Sequence, residues 1–323
     1  MKYVKLITII VLMAGVVACE KQIPMTDIEP DPLMVVNGIQ QVGQPARLTI
    51  EKSSFYIETT EDFRVKDVRA DLYVNGEFKE SLHVMDSGLY FTYENWETGE
   101  EVTELSYAYT YCEGSYLLQS GDQLRFEVSS PEFEKTAVAE CTLPSAPDVV
   151  SFDTVRVAPD SDYGDVMVYV LALTIDDPVG ATYYNLKPQG ALTGFTSSDP
   201  VFADFMENVQ IDDLFGGSEY YGNGSYNMFN DLYFDGKRYA VKMQTAYYSA
   251  YMYEPFTVEV TCVDAGFYQY MKSYKAYDYV SGGLLEFVTE PTQVYSNVQN
   301  GIGIVGAQSQ PVVMTIDLTN VEP

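Results

Sequence analysis

Three carboxylates fall within six residues at Asp160, Asp162 and Asp165, in the run PDSDYGD. Alternating loop carboxylates of this kind can surround a calcium ion, which takes six to eight oxygen ligands. The run lacks the full ligand set of an EF-hand, the bidentate glutamate included, so calcium is the weak alternative to a solvated acidic turn. Asp176-Asp177-Pro178 and Asp212-Asp213 carry less still. Paired carboxylates can also cleave glycosides, but 47 acidic residues supply such pairs in any fold by chance. The lone histidine, His83, sits in SLHVMDSG with no serine or cysteine motif beside it, and is expected to face solvent from a strand. Gly301, Gly303 and Gly306 match the spacing of a dinucleotide loop, yet too little chain follows for a βαβ unit. A strand passing close to another backbone is the better account of these glycines. No catalytic constellation emerges, no cofactor is implied, and the chain is expected not to be an enzyme.

Tyrosine is the more informative residue. Fourteen of the 28 tyrosines lie between Tyr220 and Tyr279. Tyrosine offers a large contact area at low entropic cost and is enriched on binding surfaces. Sheet faces also use it, with the ring packed and the hydroxyl wet. Tyr220, Tyr221 and Tyr226, in a Gly/Asn-rich stretch expected to be a loop, are the candidate ligand-binding set.

The N-terminus carries an address. Lys2 and Lys5 form a positive start, Leu6 to Val17 is apolar or small, and Val16-Val17-Ala18-Cys19 completes a bacterial lipobox. The apolar stretch of 12 residues is too short to span a bilayer, which needs about 20. Residues 1–18 are therefore expected to be a lipoprotein signal peptide and Cys19 the lipidated residue, with the mature protein held on a membrane by acyl chains. Residues 19–32, rich in proline and acid, read as the lipidated tether. Of the other cysteines, Cys112 and Cys141 lie on neighbouring strand-like segments, and a disulfide between them is open in an oxidising compartment. Cys262 reads as a buried thiol, and no C-x-x-C pair supports zinc.

The charge closes off one class of partner. Eighteen basic residues against 47 acidic ones give −29, and loss of Lys2 and Lys5 takes this to −31. Such a surface cannot displace counterions from a phosphate backbone, so nucleic acid is excluded as a partner. It is repelled by anionic lipid too, so the anchor has to be the acyl chains.

The elements that must position these residues are mainly strands. Between residues 33 and 144, seven or eight short alternating runs are separated by turn signals, of which Asn75-Gly76 is the strongest. The pattern predicts an N-terminal immunoglobulin-like β-sandwich. Leu143-Pro-Ser-Ala-Pro147 marks the boundary, and residues 145–323 are expected to form a β-rich C-terminal domain. That domain carries one main α-helix near 265–280, with Phe267, Tyr270, Met271 and Tyr274 along one face and Tyr268 on the other. A short helix is expected to start at Ser198, with Pro200 in its first turn.

Several phrases together, FNDLYFDGKRY (229–239), YQYMKSYKAYDY (268–279), EPTQVYSNVQNGIGIVGA (290–307), PLMVVNGI and CTLPSAP, carry a family resemblance. The chain resembles the Bacteroidota lipoproteins grouped as domain of unknown function 4249, over nearly all of the mature sequence. Val305 stands where that family more often has phenylalanine. The resemblance implies an outer-membrane lipoprotein on the periplasmic or cell-surface face, working beside a TonB-dependent β-barrel transporter in uptake. No catalytic or ligand residue carries over. The expectation is a non-enzymatic binding or accessory subunit, and the alternative is a structural or adhesive surface module without a small-molecule ligand.

Overall fold

The computed structural model describes residues 31–54, 62–94, 101–159, 166–189, 197, 199–202, 209–210, 225–248, 256–281 and 293–316. The chain is mainly β, in several sheets, with one α-helix among the described residues. Its first eight strands are β1 (Met34–Gln41), β2 (Pro45–Lys52), β3 (Arg69–Val74), β4 (Glu77–Ser81), β5 (His83–Glu94), β6 (Glu101–Leu117), β7 (Gln123–Ser129) and β8 (Ala137–Thr142). They form two sheets, β1-β2-β6-β5 and β4-β3-β7-β8. Strict alternation in β7, where Leu124, Phe126 and Val128 are buried and their neighbours are not, turns one face of its sheet inward. Those residues share a core with Leu48 and Ile50 of β2 and Cys112 of β6, so the two sheets form a sandwich. The expected hairpin is present: Asn75 and Gly76 both take positive φ, 53° and 83°, between β3 and β4.

The second half begins after Pro147 with β9 (Asp148–Pro159) and β10 (Val166–Asp176), which pair with β14 (Arg238–Tyr248) in a separate three-stranded sheet. Against it lie β11 (Tyr183–Gln189), β13 (Ser225–Asn230), β15 (Phe256–Val263) and β17 (Val312–Ile316), with the two-residue β12 (Val209–Gln210) at the edge. A second core, rich in aromatic rings, fills the space between these sheets. Near the expected short helix, the described turn is a 3-10 turn, Pro200–Phe202, and it buries Val201 and Phe202. The helix α1 (Ala265–Ser281) starts where expected. Its burial differs from the expected stripe, because Tyr268 is buried along with Phe267, Tyr270 and Met271. The reason is a partner outside the helix: the Tyr268 ring lies 4.6 Å from that of Tyr183, and its hydroxyl accepts a hydrogen bond from Asn230.

The expected boundary falls between β8 and β9, but the chain crosses back. Strand β16 (Val305–Gln308) runs parallel to β1, and Val298, Val305 and Ala307 complete the core of the first half. One sheet thereby spans both halves in the order β12-β13-β11-β15-β16-β1-β2-β6-β5. The glycines permit this approach. A Cβ on Gly301 would lie 2.6 Å from the Met34 carbonyl oxygen, and one on Gly303, at φ 114°, would overlap the Val36 carbonyl oxygen. Asn37 and Asn297 seal the seam, accepting hydrogen bonds from the backbone N–H groups of Ile304 and Val305 at 3.0 Å each.

Candidate functional site

The described residues bring chemistry together at one end of the second half. Strand β10 stops at Asp176, and Asp177-Pro178-Val179-Gly180 turns the chain toward β11; proline removes a backbone donor and Gly180 takes φ 110°. Strand β13 stops at Asn230, and residues 231–236 turn toward β14, with Gly236 at φ 68°. The two loops are tied by carboxylates accepting backbone bonds. Asp177 accepts from Gly236 N–H at 2.8 Å, Asp231 from Thr182 N–H at 2.7 Å and Asp235 from Gly180 N–H at 2.8 Å. The second oxygen of Asp177 accepts the buried Tyr184 hydroxyl at 2.5 Å. Below lies an aromatic floor in which Tyr184 stacks on Phe229 at 5.0 Å and Phe234 on Tyr239 at 4.7 Å.

This arrangement concentrates negative charge in partly dry surroundings. Asp177 and Asp231 are buried and Asp235 is exposed, and one carboxylate oxygen from each lies within 4.8 Å of the others. Burial raises the Asp231 carboxyl above its ordinary range, and the charges of Asp177 and Asp235 push it the same way. Burial and the Asp177 hydrogen bond raise the Tyr184 hydroxyl strongly, so it stays a donor at every physiological pH. Three oxygens at this spacing are the donor set for a hard divalent cation, and among the described residues no other acidic or thiol grouping has it.

A second feature lies at the start of α1. Asp264 accepts the backbone N–H of Ala307 at 2.6 Å, of Gly266 at 3.1 Å and of Phe267 at 3.4 Å, which caps the helix and fastens it to β16. Burial raises its carboxyl to about 6 against those three donors, which pull it down. It borders a cleft of about 480 Å³ lined also by Gly76, Arg125, Glu140 and Cys141. Arg125 is bonded to Glu127 and Glu140, so the cleft holds no free cation for an anionic ligand.

Of the residues singled out in the sequence, Asp177 joins the carboxylate trio and Cys141 lines the cleft. Cys19, Asp160, Asp162, Asp165, Tyr220 and Tyr221 lie outside the described residues. Tyr226 does not lie on a loop: it belongs to β13 and pairs with Val209 of β12. Cys112 and Cys141 form no disulfide; both are free buried thiols, one in β6 and one in β8, on opposite sheets of the sandwich. Burial pushes the Cys112 thiol up to about 12, so it is an inert core group, and Cys262 is pushed up to about 12 in the same way. His83 is exposed at the start of β5. Asp177, Asp231 and Asp235 are the residues that local spacing misses, since 54 positions separate the first two. The D-x-x-x-D-G turn inside FNDLYFDGKRY is the one local trace of them.

A model of the family described as Domain of unknown function (DUF4249) matches residues 20–311. None of the curated proteins matches the sequence.

Proposed function

The chain belongs to the DUF4249 family, and on that premise we propose that it is a lipid-anchored outer-membrane protein acting as a non-enzymatic binding or accessory subunit. The observation that carries this reading is the lipobox Val16-Val17-Ala18-Cys19 behind a short positive and apolar leader. The family region begins at Glu20, directly after the lipobox cysteine, so the leader stands apart from the family unit. Residues 19–32 are the tether, which spans roughly 46 Å when extended. No helix among the described residues is long and apolar enough to cross a membrane. The partner in this reading is an outer-membrane β-barrel of the TonB-dependent type, with which the subunit takes part in nutrient uptake.

Two measurements test it. Radiolabelled palmitate should enter the native protein and not a Cys19→Ser variant. Extraction in mild detergent should bring a β-barrel protein with the native chain. An unlabelled native protein ends the anchor, and a chain that reproducibly comes out alone ends the accessory role.

A further inference from the structure

The loops that carry Asp177, Asp231 and Asp235 also carry the two most solvent-exposed large hydrophobic side chains among the described residues. Val179 is 90% exposed and Leu232 is 76% exposed, and Tyr233, next to Leu232 in the chain, is 56% exposed. Isolated exposed apolar residues need no explanation, but here three share one small rigid platform. The loops are pinned to each other by the bonds from Gly180, Thr182 and Gly236 to the three carboxylates. They are pinned internally by Phe234 N–H to Asp231 O at 2.7 Å and Lys237 N–H to Phe234 O at 2.8 Å. The Val179 side chain lies against Gly236, where a Cβ would meet it at 2.9 Å. A preorganised apolar knob loses little entropy when it enters a socket.

We propose that Val179, Leu232 and Tyr233 form a docking knob for a partner protein that offers an apolar socket rimmed by Lys and Arg side chains. The rim chemistry follows from the knob's own collar. Asp176 and Asp177 precede Val179 in its loop, Asp231 and Asp235 flank Leu232 and Tyr233 in theirs, and Asp148 is the strand partner of Asp176, against Lys237 and Arg238, of which Arg238 is already engaged by Asp176. A second copy would bring two acidic collars together, each on a chain of charge −29. Anionic lipid is opposed by the same charge. Strand register gives the knob a direction as well. Gln41, Gln308, Val263, Tyr183 and Asn230 are linked partner to partner across the shared sheet, and the two loops adjoin Tyr183 and Asn230 at that end. Met34, where the tether enters, is at the opposite end of β1, roughly 25 Å away along the strand. The knob thus sits at the end of the sheet remote from the proposed anchor. The inference rests on the accessory-subunit reading for the existence of a protein partner, and adds the surface and the chemistry of contact.

The test uses the full chain in its native membrane, with a photo-reactive phenylalanine analogue placed at Val179, at Leu232, or at exposed Phe78 as a control. Both knob positions should give an adduct with the same protein and Phe78 should not. Peptide mapping should place the adduct beside Lys or Arg, and raising salt from about 0.05 to about 0.5 M should cut its yield at least about threefold. The double substitution Val179→Asp with Leu232→Asp should reduce recovery of that partner at least about tenfold while the melting temperature holds, because neither side chain is buried. Adducts with lipid, with a second copy, with another segment of the same chain or with a surface lacking basic residues overturn the proposal, as does no adduct at all. A β-barrel recovered undiminished with the double variant overturns the knob and leaves the accessory reading standing. A partner that is not a β-barrel, mapped to the knob with a basic rim, overturns the transporter reading and leaves the knob standing.

Discussion

The two cores of the molecule are made of different material and closed in different ways. The first is aliphatic, with Phe126 as its one fully buried ring among the described residues, and it is completed by Val298, Val305 and Ala307 from the far end of the chain. The second is aromatic, with Tyr169, Tyr184, Phe202, Phe229 and Phe234 buried, and it is closed by the loops immediately beside those rings. An aliphatic sandwich can bring two backbones together only where side chains are missing, so its weak points are glycines. A ring core depends on volume, so its weak points are the rings themselves.

The contrast breaks hardest at Phe229. Its ring touches those of Tyr184, Phe202 and Phe234 at centroid separations of 5.0, 5.2 and 6.4 Å. Phe229→Ala should lower the unfolding free energy by about 4 kcal/mol, because three packed rings cannot collapse into the space the fourth leaves. Denaturant midpoints measure it. A loss under about 1 kcal/mol would mean that the aromatic core is plastic and that volume is not what holds the second half.

The first half should fail at a methyl group. Gly303→Ala adds a Cβ at φ 114° against the Val36 carbonyl and should cost about 3 kcal/mol from strain and overpacking together. Gly121→Ala is the matched control, since Gly121 has φ 86° and open space around its missing Cβ. It should cost only the conformational part, about 1 to 2 kcal/mol. Equal losses at the two positions would show that the contact with β1 is not tight, and the seam between the halves would need another explanation.

Asp264 tests the joint where the halves meet. Asp264→Ala removes the acceptor for Ala307, Gly266 and Phe267 N–H and should cost about 2 kcal/mol at pH 7. Its pH dependence has a definite sign. The folded carboxyl is raised to about 6, against roughly 3.9 when unfolded. The folded state therefore holds the proton more tightly, and the stability this contributes is present below about pH 4 and lost as pH rises toward 6. The gap between native and variant should widen on acidification, by on the order of 2 kcal/mol between pH 7 and pH 4. A gap that narrows instead would mean the bonded carboxylate outweighs burial.

Much of the fold could be read along the chain because it is set by local pattern. The alternation in β7, the Asn75-Gly76 turn and the start of α1 behind Asp264 are all encoded within a few residues of where they occur. Gly301 and Gly303 announced a close backbone approach, but not to which backbone, since the partner is β1 more than 260 positions away. Most of the site residues singled out in the sequence, Cys19, Tyr220 and Tyr221 among them, lie outside the described residues. Asp160, Asp162 and Asp165 are close in the chain and lie outside the described residues, whereas the trio with ligand spacing comes from two loops that meet only in the fold, through the pairing of β11 with β13 and the backbone bonds to the carboxylates. Tyr226 misled because its Gly/Asn-rich surroundings signal a loop while the ladder to Val209 makes it a strand. The Cys112–Cys141 pairing stayed open in the sequence because spacing does not say that β6 and β8 belong to opposite sheets.

The smallest effect sharpens the comparison from the other side, since the carboxylate end of the second half is under charge repulsion that the first core lacks. Asp235 is the exposed member of the trio and accepts one backbone bond, from Gly180. Asp235→Asn keeps an oxygen for that bond and removes one of the charges that raise the Asp231 carboxyl. In chelator-treated buffer at pH 7 it should stabilise the fold by a few tenths of a kcal/mol, read as a small rise in melting temperature. The same variant at pH 3, where the raised Asp231 carboxyl holds its proton, should show no gain, because the repulsion on Asp231 is then absent in the native chain as well. A gain that persists at pH 3 would place its origin in the hydrogen bond to Gly180, and the charge contrast between the two ends of the molecule would lose its energetic basis.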